Sequence, residues 1–224
     1  ATLTTASTDA ITITISEGST ATIAELKSIN AATVGTVTLS TETIAANYSD
    51  TAANLAAAFS GITTHTGNLT ISETSTATIA ELVTINAATA GTVTLSTETI
   101  AANYSDTAVN LAAAFSGITT HTGTIAITGT NPTITQLNNI SGATSGVVTA
   151  TISGTAANLA TLTTASTDAI TITISEGSTA TIAELKSINA ATVGTITLST
   201  ETIAANYSDT AANLAAAFDG ITTH

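Results

Sequence analysis

The chain has 224 residues, a formal net charge of −13, no cysteine and only two cations, Lys27 and Lys186. Neutralising phosphates takes Lys and Arg, so charge excludes a nucleic-acid partner, and the lack of cysteine excludes a disulfide framework. Charged residues are 8% of the chain, against about 25% in ordinary domains, and threonine alone makes up a quarter of it.

The first element in chain order is Ile11-Thr-Ile-Thr-Ile15. Period-two alternation of β-branched residues predicts a strand with one buried face. Thr22-Ile-Ala-Glu-Leu-Lys-Ser-Ile29 follows, with Ile23, Leu26 and Ile29 three apart on one helical face. Thr22 and Glu25 have capping-box spacing. Thr36-Val-Thr-Leu39 predicts a second strand, and Thr41-Glu-Thr-Ile-Ala-Ala-Asn-Tyr48 a further short one. Asp50-Thr-Ala-Ala-Asn-Leu-Ala-Ala-Ala-Phe59 predicts a helix capped by Asp50, with Gly61 supplying a left-handed turn after it.

These elements then repeat. Residues 1–65 recur as 160–224 with two changes, Val37 to Ile196 and Ser60 to Asp219. A second copy, offset by 56, runs from Leu69 to His121, and Thr122 to Leu159 is a shortened relative. The predicted strands centre on Ile13, Val37, Leu69, Val93, Ile125, Val148, Ile172 and Ile196. Strands joined by helical crossovers are parallel and right-handed. The expectation is an α/β fold: a right-handed solenoid of about eight rungs, 24 and 32 residues long, with one parallel sheet and short covering helices, in the layout of leucine-rich repeats. The alternative is a parallel β-helix in which the Ala-rich segments are turns. Residues 1–224 read as one continuous repeat solenoid, with modules at about 11–67, 68–123, 124–169 (degenerate) and 170–224. Neither end carries a polar capping repeat, so the chain reads as a section of a longer array. No run of about 20 apolar residues predicts a membrane span.

Candidate chemistry recurs with the modules. The carboxylates come in sets: Glu17, Glu73 and Glu176; Glu25, Glu81 and Glu184; Glu42, Glu98 and Glu201; Asp50, Asp106 and Asp209. A general acid–base pair needs a unique cleft, and copies at every module argue against one. Calcium is the cation that such oxygen ligands would suit, with Asp50, Asp106 and Asp209 as its candidate ligands; no other cofactor is expected. His65, His121 and His224 share a Thr-Thr-His turn and read as solvated turn residues. No nucleophile motif or phosphate loop stands out, so no enzyme is expected. Asn30, Asn86 and Asn189 follow the first helix of each copy and suit a structural Asn ladder.

Two resemblances follow from the motifs. The Thr-x-Thr pairs on successive strands resemble the ice-binding face of insect β-helical antifreeze proteins, although Asn68, Ala126 and Val147 interrupt them. The Ser-Asp-Thr-Ala-Ala-Asn-Leu run (Ser49–Leu55, Ser208–Leu214) and the Thr22–Gly35 run resemble repeats of very large bacterial surface and secreted proteins, familiar in cyanobacteria. That likeness covers nearly the whole chain. It implies an extracellular adhesin-like or sheath-forming protein, with calcium-binding repeats elsewhere in such chains. The function expected is therefore a structural segment of an extracellular filament, sheath or cell-surface layer that self-associates end to end or laterally; the alternative is an adhesin stalk or an ice-binding surface.

Overall fold

A computed structural model describes residues 8–72, 76–129 and 131–221. Strands and helices alternate along it, and every strand pairing within the sheets is parallel. The chain divides into two compact units, Ala1–Ala102 with Ala113–Thr120, and Asn103–Ala112 with His121–His224.

The first unit opens with β1 (Ile13–Thr14), α1 (Ile23–Ala31) and β2 (Val37–Thr38). The capping box at α1 forms: the Thr22 hydroxyl accepts from the Glu25 amide, and Glu25 reaches back to the Thr22 amide at 2.8 Å. That satisfies two of the donors that a helix start leaves open. Ile23 and Leu26 then face the core. Next come α2 (Thr41–Ala45), β3 (Tyr48–Asp50), α3 (Ala52–Phe59), β4 (Leu69–Ile71), α4 (Ile79–Ala88), β5 (Val93–Thr94) and α5 (Thr97–Ala101). Gly61 takes φ +73° after α3, the left-handed conformation expected of it. The Ala-rich segment Ala52–Phe59 is a helix that buries Ala52, Leu55, Ala58 and Phe59. A fold whose Ala-rich segments are only turns is therefore ruled out.

The second unit carries β6 (Tyr104–Thr107), β7 (Ile125–Thr128), α7 (Ile134–Ala143), β8 (Val148–Gly154), α8 (Ala156–Leu159), β9 (Ala169–Ile174), α9 (Ile182–Ala190), β10 (Ile196–Thr197), α10 (Thr200–Ile203) and α11 (Ala211–Phe218), while α6 (Ala108–Ala114) bridges the division. Its core is built on one face of the sheet. Ala150, Ile152, Ile170, Ile172 and Ile174 pack with Leu137, Leu159, Leu185 and Ile188 from the helices.

All eight predicted strand centres lie in strands. One expectation is corrected: among the described residues there are three parallel sheets rather than one, ordered β1-β2, β3-β4-β5 and β10-β9-β8-β7-β6. The breaks have a local cause. In the 32-residue repeats the strand is interrupted by a one-turn helix, so Thr41–Ala45 is helical where a strand was expected, and strand resumes only at Tyr48. Its first part, β2, pairs back with β1 (Ile13↔Val37). Its second part, β3, pairs forward with β4 (Tyr48↔Leu69). Ser40 caps this helix, and its hydroxyl donates to the Ser19 carbonyl at 2.6 Å. Thr43, fully buried, accepts from the Ala21 amide at 3.0 Å. In β8 the insertion is missing. Seven residues run straight, pairing with β7 at Ile125↔Val148 and with β9 from Thr149↔Ala169 to Gly154↔Ile174.

Candidate functional site

The three aspartates proposed as calcium ligands each close a turn on their own helix. Asp50 Oδ1 accepts from the Thr51 amide and the Asn54 side-chain amide, both at 2.7 Å. Asp106 repeats this with Thr107 (2.6 Å) and Asn110 (2.9 Å), and Asp209 with Thr210 (2.6 Å) and Asn213 (2.7 Å). The helix caps at α3 and α11 are the next residues, Thr51 and Thr210, not Asp50 and Asp209 as the sequence suggested. The Thr107 amide, then the Asn110 amide, hold the Asp106 carboxyl below its usual range. For Asp209 the Asn213 amide leads, followed by the Thr210 amide and the charge of Lys186. Both cations of the chain end on this turn: Lys27 donates to Asn54 Oδ1, and Lys186 to Asn213 Oδ1 at 2.6 Å. Among the described residues no group of three or more His, Cys, Asp or Glu side chains is placed to hold a metal ion. Several glutamates likewise accept from helix starts: Glu25, Glu81 and Glu184 in the capping boxes, and Glu176 at Thr200. Glu17 accepts from the amide and hydroxyl of Thr41 at the start of α2, which lowers its pKa, the hydroxyl having the larger effect. Glu73 lies outside the described residues.

His65 and His121 are not the solvated turn residues expected of them. His65 and His121 are each 1% exposed, while His224 lies outside the described residues. The His65 ring sits 4.8 Å from Phe59 and 5.6 Å from Tyr48, centre to centre. Its Nε2 faces the Ala46 carbonyl at 2.9 Å, and its Nδ1 the Thr89 hydroxyl at 3.1 Å. Burial pushes its pKa down, against a smaller upward effect of the Ala46 carbonyl. A signal for this burial exists in the sequence. The chain has three Tyr, three Phe and three His, and one of each recurs per module at fixed spacing: Tyr48, Phe59, His65; Tyr104, Phe115, His121; Tyr207, Phe218, His224.

The repeated asparagines have a structural task, but as bridges between repeats rather than as a stack of Asn on Asn. Asn30 Nδ2 donates to the Ala57 and Ser60 carbonyls at 3.1 and 2.8 Å, at the C-terminus of the next long helix. Asn86 does the same to Ala113 and Ser116, and Asn189 to Ala216 and Asp219. Each thus satisfies carbonyls that a helix end leaves open. A further set of bridges was not predicted. Thr33, Thr89, Thr144 and Thr192 each donate to a carbonyl of the preceding repeat (Asp9, Gly67, Gly123 and Asp168) at 2.7–2.9 Å. Each also accepts from the amide two residues on, at Gly35, Gly91, Gly146 and Gly194. The recurring Thr-x-Gly triplet is its signature.

The outward threonines align only in part. Thr107↔Thr128, Thr151↔Thr171 and Ser153↔Thr173↔Thr197 stand in register, but Ser105↔Ala126 and Thr149↔Ala169 interrupt the neighbouring column. Two shallow grooves of about 800 Å³ also recur: Lys27, Asn30, Thr33 and Gly61 line one, and their copies Lys186, Asn189, Thr192 and Gly220 the other. These polar side chains are already engaged in the turns and bridges above. No helix among the described residues is long and apolar enough to cross a membrane. No family model, curated protein or solved structure matches the chain.

Proposed function

We propose that this chain is a structural tandem-repeat segment: a right-handed α/β solenoid, leucine-rich-repeat-like in layout, within an extracellular filament, sheath or cell-surface layer, and not an enzyme. The observation that carries this reading is the use of its polar side chains. Asn30, Asn86 and Asn189, with Thr33, Thr89, Thr144 and Thr192, spend their hydrogen bonds joining one repeat to the next. Such nearest-neighbour bonding is what makes stacked repeats cooperative. A catalytic site needs a polar group set apart from its copies; most carboxylates of this chain come in repeated sets, and the one buried apart from its copy, Asp168, is taken up by the Ser141 hydroxyl and the Val148 amide. The likeness of its Ser-Asp-Thr-Ala-Ala-Asn-Leu run to repeats of large bacterial surface proteins points to the extracellular setting. In this reading its partner is itself, through stacking of repeats end to end or laterally.

Small-angle scattering of the monomer tests the proposal. A rod whose length scales with repeat number supports it, and a compact particle removes it. A second reading, an adhesin stalk or ice-binding face, draws on the Thr107–Thr128 and Thr151–Thr171 alignments. An ice-recrystallisation assay separates it from the first.

A further inference from the structure

Three copies of one module allow the chain to be compared with itself. Residues 13–65 recur as 69–121 and 172–224, and the copies differ at eight of these 53 positions. Four of the eight, at residues 27, 34, 37 and 60, line the groove between the turn after α1 and the end of α3, which takes up only twelve positions of the module. The groove's floor does not vary. Asn30, Thr33 and Gly35, and their copies Asn189, Thr192 and Gly194, are fixed by the bonds that join repeats. Its rim does vary: Lys27 becomes Val83 in the second copy, and Ser60 becomes Asp219 in the third. A constant floor under a changing rim suits a surface that repeat proteins offer to partners.

The two grooves differ in charge. Lys27 and Lys186 are the only cations of a chain with net charge −13. Each lines a groove and donates to a neutral amide, Asn54 or Asn213. No carboxylate is among the described residues lining the first groove, whereas Asp219 lines the second. Asp219 is exposed and follows α11 as its C-cap, a position where the helix dipole disfavours an anion. Its backbone carbonyl accepts from Asn189, but its carboxylate has no partner among the described residues. Val34 and Val193, at 68% and 69%, are the two most exposed large apolar side chains described, and one stands in each groove. The grooves belong to the module. The first stays open with β4 and α4 following it, and the second with β8 and α8 before it.

We infer that the Lys27 groove is a docking site for a second copy of this chain, which presents Asp219 to Lys27 and packs Val193 against Val34. The group that fits a lone cation beside an exposed valine is a carboxylate beside an aliphatic side chain, and the second groove carries that pair. The contact is heterologous: the cationic groove of one copy meets the carboxylate groove of another, and each copy keeps one of either kind for the next. Two Lys27 grooves facing each other would set cation against cation. The inference rests on the self-association reading and names its contact.

Sedimentation velocity over a concentration series tests it on the full chain. Lys27→Val and Asp219→Ser each install the residue that another copy already carries at that position, so both keep the fold. Each alone is expected to weaken association roughly tenfold or more. An equimolar mixture of the two variants is expected to recover a dimer, because Asp219 of the first still meets Lys27 of the second. Association that either substitution leaves unchanged, or a mixture no more associated than its components, overturns the inference and leaves self-association standing. A parent chain that stays monomeric throughout removes both.

Discussion

Replacing Gly91 with alanine tests the close approach of repeat backbones. A Cβ at residue 91 would lie 2.3 Å from the Gly67 carbonyl oxygen, whereas real Cβ contacts essentially never fall below 3.0 Å. One backbone must therefore move by about 0.7 Å or more. It cannot do so freely. The Gly67 carbonyl accepts from the Thr89 hydroxyl at 2.7 Å, the Gly91 amide donates to that same hydroxyl at 2.9 Å, and the Ala90 amide donates to the His65 carbonyl at 2.9 Å. Overpacking costs about 1–3 kcal/mol, and a hydrogen bond lost with it about 1 kcal/mol. G91A is therefore expected to lose about 3 kcal/mol, which for a chain of this size lowers Tm by roughly 6–12 °C. The control is Gly142→Ala in α7. Nothing lies within 4 Å of a Cβ there, and removing glycine from a helix is worth about 0.5–1 kcal/mol of stabilisation. Urea and thermal unfolding followed by circular dichroism compare the pair. If G91A unfolds within about 0.5 kcal/mol of the parent, the backbone contact across repeats is not as tight as the structure has it.

Three further outcomes are expected. Thr43→Val keeps the shape of a fully buried side chain but removes the acceptor of the Ala21 amide; it is expected to cost about 1–3 kcal/mol, and an unchanged urea midpoint would contradict the role given to the Ser40–Thr43 pair. The His65 imidazole, held neutral by burial, is expected to titrate below its ordinary 6.5 by NMR. A pKa lowered in the folded state stabilises fully above the unfolded value and loses that contribution as pH falls through the folded one, so His65→Gln should flatten the acid limb of the stability curve below about pH 6.5; a His65 pKa at or above the ordinary value would refute this. Asp50, Asp106 and Asp209 have turn amides as partners, so millimolar calcium is expected to leave the melting temperature unchanged; a rise abolished by Asp106→Ala would restore the metal reading.

The stacked turns explain why so few charges suffice to hold this chain. Helix ends, which ordinary domains often satisfy with water, are here closed by Asn30, Asn86 and Asn189 from the neighbouring repeat. Sheet corners are closed by the Thr-x-Gly hydroxyls. These bonds are neutral and short-range, so salt should leave them unchanged, while it screens the self-repulsion of the net charge of −13.

Strand centres, helix faces, the capping boxes at Thr22, Thr78, Thr133 and Thr181 and the left-handed Gly61 were determined by the sequence alone. Each depends on residues within one turn or one strand, where spacing and stereochemistry suffice. Tertiary structure decided what depends on the neighbouring repeat. Thr41–Ala45 was expected to be strand, but the Ser40 cap together with the bonds of Ser40 and Thr43 to Ser19 and Ala21 holds it as a helix that splits the sheet. Asp50 looked like a cap because its position suits one, but Thr51 took that place and left Asp50 to hold Asn54. His65 looked solvated because its turn is polar, yet Tyr48 and Phe59 close over it from 17 and 6 residues away in sequence. Ile11 and Ile170 show the limit most plainly. They share one local sequence, and only the strand laid beside one of them decides which is buried.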